Sequence, residues 1–183
     1  MNLIETSIPG VVIVEPEFHP DHRGHFMETY HRDKFADIGL DVEFVQDNHS
    51  FSKKGTIRGF HYQVPNPQGK MVRVVRGAIM DVAVDIREGS PTFGQYVSKI
   101  LTKENRRQMY MPPGFTHGFC TLTDTADLVM KCTTVYSKKD MRIISWNDPD
   151  IGVEWPITDP VLSEKDIAAG SLVDATVFPQ YIA

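Results

Sequence analysis

The side chains best suited to chemistry are concentrated in residues 55–76, GTIRGFHYQVPNPQGKMVRVVR. Two strand-like runs are joined there by a turn rich in proline and glycine. A strand that carries several functional groups and faces a second, basic strand indicates a site for an anionic ligand. On this stretch alone a half-buried hairpin with a solvated cationic face is the better interpretation, so the rest of the chain must supply partners. The polar groups of the hairpin belong to Arg58, His61, Gln63, Lys70, Arg73 and Arg76.

Three of the seven histidines, His19, His22 and His25, are spaced three residues apart. Side chains with this spacing converge on one point only in a helix, whereas the residues around them predict a turn between two strands. We therefore do not expect these histidines to bind a metal ion.

His117 lies in PPGFTHG, residues 112–118, which predicts a turn that leads into a strand. The segment has the form P-x-G-x-x-H of the second motif of the cupin jelly rolls. Metal-binding cupins carry H-x-H and a glutamate in their first motif, but here His61 is followed by a tyrosine, a glutamine and then Lys70. Imidazoles with an amide and a cation are a poor ligand set for a divalent metal. A metal-free cupin with an acid–base histidine is the better hypothesis.

From residue 44 onward, short strand-like runs are separated by Gly, Pro, Asn or Asp. Residues 81–87, DVAVDIR, alternate clearly and place Val82, Val84 and Ile86 on one face. Because no long helical stretch lies between the strands, parallel βαβ units are disfavoured. Short helices are predicted only at residues 31–38 and after Ser163. We expect an all-β fold, a cupin-type jelly-roll barrel or sandwich with one or two short peripheral helices.

At 183 residues the chain is expected to form a single domain over residues 1–183, with a hydrophobic core of its own. The net charge of −5 and the lack of a basic run argue against nucleic acid as a partner. We expect no membrane association and a cytoplasmic location, because the sequence shows neither a membrane-spanning stretch nor a signal peptide. Cys120 and Cys132 are predicted to be buried thiols in a reducing compartment.

The functional segments resemble the dTDP-4-dehydrorhamnose 3,5-epimerase family, in the family's order and over nearly the whole chain. The resemblance implies a homodimeric isomerase, independent of metals and cofactors, that acts in dTDP-L-rhamnose biosynthesis. Its reaction would invert C3 and C5 of a dTDP-4-keto-6-deoxyhexose through an enolate. The matching segments include residues 21–24 (DHRG), 44–50 (FVQDNHS), 58–61 (RGFH), 68–70 (QGK), 81–87 (DVAVDIR), 114–119 (GFTHGF), 146–149 (WNDP) and 162–166 (LSEKD).

The resemblance also implies roles for individual residues. His61 would be the base that removes a proton next to the ketone, and Asp166 would hold and polarise its imidazole. Lys70 would place a positive charge beside the oxygen on which negative charge develops. Tyr136 would stack on the nucleotide base. The residues expected to hold the sugar and the diphosphate are Arg23, Glu28, Gln46, Asp47, Asn48, Arg58, His117 and Lys165.

Several of these residues also have an ordinary structural interpretation. Asp166 stands three residues after Ser163, which is the spacing of a helix capping box, and without the resemblance we would prefer that reading. Lys165 could be a solvated surface lysine, and Tyr136 and His117 could be core residues at the rim of the barrel.

Arg58 and His61 are three residues apart, so in a regular strand they would face opposite sides of the sheet. Gly59 between them predicts either a β-bulge or a strand that begins at Arg58, where the pleat is not yet established. Either arrangement would allow both side chains to reach one site.

Two positions depart from the family. Met130 stands where the family has its proton-donating tyrosine, and Met141 stands where it has a substrate-binding glutamate, with Asp140 adjacent. A thioether cannot donate a proton, and the loss of a general acid slows a reaction about a hundredfold or more. Besides double epimerisation, two alternatives therefore stay open: epimerisation at a single carbon, and binding of a sugar nucleotide without turnover.

Overall fold

In a computed structural model, which describes residues 1–181, the protein is built almost entirely of short strands. The elements are β1 (Asn2–Glu5), β2 (Val12–Glu15), β3 (His19–Asp21), β4 (Gly24–Phe26), α1 (Arg32–Asp37), β5 (Gln46–Lys53), β6 (Ile57–Gln63), β7 (Lys70–Arg76), β8 (Ala78–Asp85), β9 (Tyr96–Thr102), β10 (Gln108–Met111), β11 (Phe115–Thr121), β12 (Thr125–Cys132), β13 (Met141–Ile143) and α2 (Glu164–Ile167).

These strands form two main sheets and one separate hairpin. The six-stranded sheet has the order β1-β2-β10-β7-β12-β5, the five-stranded sheet has the order β13-β6-β11-β8-β9, and β3 pairs with β4. The pairings between these strands are antiparallel. Two packed antiparallel sheets are the architecture of a jelly roll, and the predicted all-β fold with short helices is confirmed.

The main hydrophobic core lies between the two sheets. Val72 and Val74 of β7 enter it from the six-stranded sheet, and Phe115 and Phe119 of β11 enter it from the five-stranded sheet. The two residues of each pair are an even number of positions apart, so both project from the same face of their strand. Burial of such side chains is the principal force that holds the two sheets together.

The C-terminal part of the chain covers the outer face of the five-stranded sheet. Val82, Val84 and Ile86 contact this covering layer, which includes Trp155 and Phe178, so their predicted common face is confirmed. β8 is therefore buried on both sides of the sheet, because Ile79 and Ala83 belong to the inter-sheet core.

Helix α1 covers part of the outer face of the six-stranded sheet. Its Phe35 is fully buried in a cluster with Val14, Met71 and Tyr110. The predicted helix is present, and Gly39 follows it with a φ of +87°, as expected of a glycine that ends a helix.

Two strands extend further than their composition suggests. β5 continues to Lys53 through the polar sequence QDNHSFSK because it pairs with β12 along its whole length. β11 begins at Phe115, so His117 lies inside a strand rather than in the turn predicted from residues 112–118. In both cases cross-strand pairing overrides local preference.

Candidate active site

A cavity of about 310 Å³ lies between the two sheets, and both sheets contribute to its wall. This volume is at the lower end of the range for small-molecule sites. The six-stranded sheet supplies Gln46, Asn48, Ser50, Lys70, Met130 and Cys132, the five-stranded sheet supplies Arg58, His61, Tyr62, Gln63, His117, Phe119 and Met141, and Gln68, Tyr136 and Lys165 complete the lining.

A β-bulge in β6 brings Arg58 and His61 to the same cavity. The pairing of β6 with β11 shifts by one residue between them, and both side chains line the cavity. Gly59 is required there because a Cβ on it would lie 2.5 Å from the Cα of Gly118. The predicted bulge is confirmed, and the extra residue cancels the alternation that would otherwise separate the two side chains.

The segment that precedes helix α2 is attached directly to the start of β6. The backbone N–H of Val161 donates to the carbonyl of Gly55 at 2.9 Å, and the N–H of Ile57 donates to the carbonyl of Val161 at 3.2 Å. This docking places Asp166 of α2 beside His61, although the two residues are far apart in the sequence.

His61 and Asp166 form a close pair in which Nε2 of the imidazole lies 2.6 Å from Oδ1 of the carboxylate. A carboxylate accepts the proton of Nε2, which leaves the lone pair on Nδ1 as the basic position of the ring. Burial lowers the pKa of His61 below its ordinary value, although the hydrogen bond to Asp166 opposes this effect. The imidazole is therefore neutral, and able to accept a proton, near neutral pH.

Asp166 is almost completely buried, at 2% exposure, and has a second partner in Ser163. The Ser163 hydroxyl donates to Oδ2 of Asp166 at 2.6 Å and also caps helix α2. Burial raises the pKa of Asp166, but the hydrogen bonds from His61 and Ser163 outweigh it and hold that pKa below its usual range. The capping arrangement and the contact with His61 thus occur together, although they were two separate interpretations of the same spacing.

Lys70 provides a positive charge close to His61. Its Nζ donates to the backbone carbonyl of His61 at 3.0 Å, and the residue is 6% exposed. Burial lowers the pKa of Lys70 from 10.5 to about 8, because a buried ammonium loses its hydration. The ammonium form is still the main one at neutral pH.

A second histidine–carboxylate pair lies on the neighbouring strand. His117 is directly opposite His61 in the β6–β11 pairing, and its Nε2 lies 2.7 Å from Oδ1 of Asp81. Both partners are buried, so Asp81 does not face solvent. The hydrogen bond determines the orientation of the His117 ring at the cavity wall.

Polar groups from β5 and its neighbours line the rest of the cavity. Gln46 donates through Nε2 to Oδ1 of Asn48 at 2.9 Å, and its Oε1 accepts the backbone N–H of Tyr136 at 2.7 Å. Tyr136 is 47% exposed, so its ring is open to a flat partner. Arg58 donates through Nε to the hydroxyl of Ser52 at 3.0 Å.

Three of the predicted substrate-binding residues lie outside the cavity of their own chain. Arg23 forms an ion pair with Asp21 at 2.6 Å in the β3–β4 hairpin, and Glu28 forms one with Lys34 at 2.8 Å. Asp47 contacts Lys131 at 3.0 Å. Asp47 lies between Gln46 and Asn48 on a regular strand, so alternation directs it to the opposite face.

Met130 and Met141 both line the cavity. Met130 belongs to the six-stranded sheet, opposite the sheet that carries His61, and it also packs against the inter-sheet core. The Tyr136 hydroxyl approaches the sulfur of Met141 at 3.9 Å. Asp140, considered as a replacement for the missing glutamate, is not among the lining residues.

The sequence patterns did not single out Ser50, Gln68 or Cys132 as site residues. The alternation of β5 could have found Ser50, because it shares a face with Gln46 and Asn48. Cys132 shares a face with Met130 on β12 in the same way. Gln68 lies in a loop, where no periodicity applies, and its amide donates to the Thr134 carbonyl at 2.6 Å.

Within residues 1–181 no three His, Cys, Asp or Glu side chains are grouped so as to hold a metal ion. In the same residues no helix has both the length and the apolar character needed to cross a membrane.

The chain that builds this site, with a neutral imidazole oriented by a buried carboxylate beside a buried ammonium, matches a known family in sequence. Residues 5–174 match the family profile described as dTDP-4-dehydrorhamnose 3,5-epimerase. The chain belongs to this family. Among known relatives, a dTDP-4-dehydrorhamnose 3,5-epimerase from Shigella flexneri is 52% identical over 180 residues, which cover 97% of this chain and 99% of the relative.

Solved structures show the same fold throughout. The epimerase of Legionella pneumophila Philadelphia 1, crystallised with dTDP-4-keto-L-rhamnose, is 45% identical with a TM-score of 0.96, covering 100% of this chain and 99% of that one. A 3'-monoepimerase from Streptomyces bikiniensis in complex with dTDP-quinovose is 36% identical with a TM-score of 0.90, covering 97% and 93%. Enzymes that invert one carbon of the sugar and enzymes that invert two thus share this architecture.

Proposed function

We propose that the protein is a metal- and cofactor-independent epimerase that inverts C3 and C5 of a dTDP-linked 4-keto-6-deoxyhexose. The observation that carries the proposal is His61, which is paired with Asp166 at 2.6 Å and lines a cavity that Lys70 also lines. Family membership and the Legionella relative, crystallised with dTDP-4-keto-L-rhamnose, support the substrate class.

The reaction begins with removal of a proton from a carbon next to the 4-keto group. Nδ1 of His61 takes this proton, the C–H electron pair forms a carbon–carbon double bond, and the carbonyl electrons move to oxygen as an enolate. Asp166 keeps the proton on Nε2 and stabilises the imidazolium that forms. Water that enters the cavity protonates the same carbon from the opposite face, where Met130 has no proton to give, and the ketone returns with inverted configuration.

Lys70 is the group that stabilises the enolate in this proposal. Its ammonium lies in a buried setting, where an electrostatic interaction is much stronger than in water. It is also held in place before the substrate arrives, because Nζ already donates to the His61 carbonyl. The cation therefore needs little reorganisation when negative charge develops on oxygen.

The nucleotide occupies the more open part of the cavity. Arg58 and Lys165 provide the cations for the diphosphate, and Gln46 and Asn48 provide neutral donors and acceptors. The exposed ring of Tyr136 offers a stacking surface for the base. His117, next to His61, is held by Asp81 and contacts the sugar.

The protein acts as a homodimer in this proposal. Arg23 and Glu28, which the family resemblance assigns to the substrate, lie outside the cavity of their own chain. The β3–β4 hairpin near them leaves Phe26 69% exposed, a large apolar side chain to leave in water. Contact with a second copy would bury Phe26 and allow the hairpin to bring Arg23 toward the partner's cavity.

Epimerisation at a single carbon is the second candidate function. It is favoured by Met130, which lies on the sheet opposite His61 and has no proton to donate. Inversion at each carbon requires a donor on the face opposite the base, so loss of the donor affects inversion more than proton removal. The 3'-monoepimerase from Streptomyces bikiniensis shows that this fold accommodates such an outcome.

Incubation with dTDP-4-keto-6-deoxyglucose in deuterated water, followed by proton NMR, tests these functions. Deuterium at both C3 and C5 with an L-configured product is the result expected of the double epimerase. Deuterium at one carbon only would establish the second candidate. Binding of the nucleotide sugar without any exchange would show that the protein is a binding homologue without turnover.

A further inference from the structure

We propose that Ser163 is a positioning residue for the reaction, because its hydroxyl holds the Asp166 carboxylate in the orientation that His61 requires. This inference rests on the proposed function, since it concerns the residue through which Asp166 orients the base. It assigns to Ser163 a role beyond that of an ordinary helix cap.

Each carboxylate oxygen of Asp166 has its own donor. Nε2 of His61 lies 2.6 Å from Oδ1, and Oγ of Ser163 lies 2.6 Å from Oδ2. With both oxygens engaged, the carboxylate group cannot rotate without breaking a hydrogen bond to a buried, charged acceptor. At 2% exposure, Asp166 has little access to water that could replace a lost donor.

The position of Ser163 is itself fixed by the backbone. Ser163 is the N-cap of α2, with extended φ and ψ of −80° and 158°, and its carbonyl accepts the N–H of Asp166 at 3.0 Å. Two residues earlier, Val161 is bonded to both sides of the β6 entry through Gly55 and Ile57. The hydroxyl is thus connected by short segments to the same strand that carries His61.

Removal of the hydroxyl has a consequence that a pure capping role does not predict. The Ser163 hydrogen bond lowers the pKa of Asp166, and without it the carboxylate becomes more basic. A more basic partner also stabilises protonated His61, so the pKa of His61 rises. The other charged groups that act on His61 are Lys165 of α2 and Lys70 of β7, and neither is changed.

The chain contains a matched control for this arrangement. Ser171 donates to Oδ2 of Asp174 at 2.5 Å with the same three-residue spacing, and the pair is exposed. Neither residue lines the cavity. Ser171→Ala therefore removes the same type of hydrogen bond without any effect on His61.

The experiment compares four variants, Ser163→Ala, Ser163→Gly, Ser163→Thr and Ser171→Ala, in the full chain. Glycine is tolerated at an N-cap and costs only a few tenths of a kcal/mol, so Ser163→Gly removes the hydroxyl and largely keeps the helix start. Threonine keeps the hydroxyl. The measurements are kcat and KM for dTDP-4-keto-6-deoxyglucose across pH, and NMR titration of the His61 ring in the free protein.

We expect Ser163→Ala and Ser163→Gly to lower kcat about tenfold, the effect of one lost hydrogen bond to a charged group, with KM almost unchanged. The acid limb of the pH profile and the titration of His61 should both move to higher pH. Ser163→Thr and Ser171→Ala should behave as the parent protein does.

Two results would overturn the proposal for Ser163. In the first, the parent is active and Ser163→Ala keeps its kcat and its pH profile. In the second, Ser163→Ala loses kcat but Ser163→Gly does not. The second result would assign the effect to helix capping. An inactive parent would refute the proposed function instead. In that case the His61 titration still decides whether Ser163 acts through Asp166, because an unchanged titration in both hydroxyl-free variants would exclude it.

Discussion

Nε2 of His61 and Oδ1 of Asp166 are 2.6 Å apart, although 105 positions separate the two residues in the chain. The pair exists because the segment before α2 is hydrogen-bonded to the start of β6. The base and the residue that orients it thus belong to different parts of the sequence, and the chemistry depends on how the C-terminal segment packs against the sheet.

Asp166→Asn is expected to reduce turnover by about two to four orders of magnitude while leaving the shape of the site unchanged. An amide that donates to Nε2 would force the imidazole proton onto Nδ1, where the base is needed. The measurement is the rate of deuterium incorporation at C3 and C5. Asp174→Asn, at the exposed Ser171 pair, is the control and should retain the parent rate. Full exchange in Asp166→Asn would contradict the assigned tautomer.

Met130→Tyr should raise the rate of inversion at least tenfold, because it places a phenol opposite His61 where the parent has a thioether. Met130→Phe is the matched control, since it supplies the ring without the hydroxyl. Product configuration and deuterium content are read from the same NMR spectra. If Phe and Tyr act alike, the effect comes from packing and the position does not supply a proton in this protein.

The pH profile of kcat/KM is expected to be bell-shaped. Activity should rise with pH through the pKa of His61, which burial keeps below 6.5, because the base must be neutral. It should fall as pH rises through about 8, where Lys70 loses its proton and can no longer stabilise the enolate. Lys70→Met should remove most of the activity, and the residual activity should no longer fall at alkaline pH. If the residual activity still falls at alkaline pH, a group other than Lys70 causes the decrease.

Lys70→Met should also make the protein more stable, on the order of 1–3 kcal/mol, because it removes a buried charge. In the parent, the pKa of Lys70 is about 8 in the folded state against 10.5 ordinarily, so between these values the unfolded chain binds more protons. The contribution of Lys70 to the free energy of unfolding therefore becomes more favourable from pH 8 to 10.5. The Lys70→Met variant should lack this increase. Denaturant unfolding at several pH values measures it. Lys131→Met, at an exposed pair with Asp47, is the control and should show no such gain.

Gly59→Ala should destabilise the protein by about 2–4 kcal/mol and move Arg58 away from His61. The added Cβ would lie 2.5 Å from the Cα of Gly118, and the φ of Gly59 is +133°. Gly170→Ala is a suitable comparison, because nothing lies within 4 Å of its Cβ position. Thermal unfolding of the two variants tests the requirement for the bulge, and equal melting temperatures would refute it.

The sequence by itself determined the fold class and located the residues proposed for the base half of the site. Alternation in DVAVDIR, repeated turn residues and the lack of long helices indicated packed antiparallel sheets, because strand periodicity is a local property of the chain. His61, Lys70 and Arg58 stood out by residue type within one hairpin, but their roles came from the family resemblance and not from the hairpin alone. Gly59 predicted either a bulge or a strand that begins at Arg58, and the register shift in the β6–β11 pairing is the bulge.

Only the tertiary structure decided which distant groups meet. Spacing could not distinguish whether Asp166 serves as part of a helix cap or as the partner of His61, and the docking of Val161 on Gly55 makes it both. The tertiary structure also directs Asp47 away from the cavity of its own chain and leaves Arg23 in an exposed hairpin. The burial that lowers the pKa of Lys70 is likewise invisible in the sequence, because desolvation depends on what packs around a charge after folding.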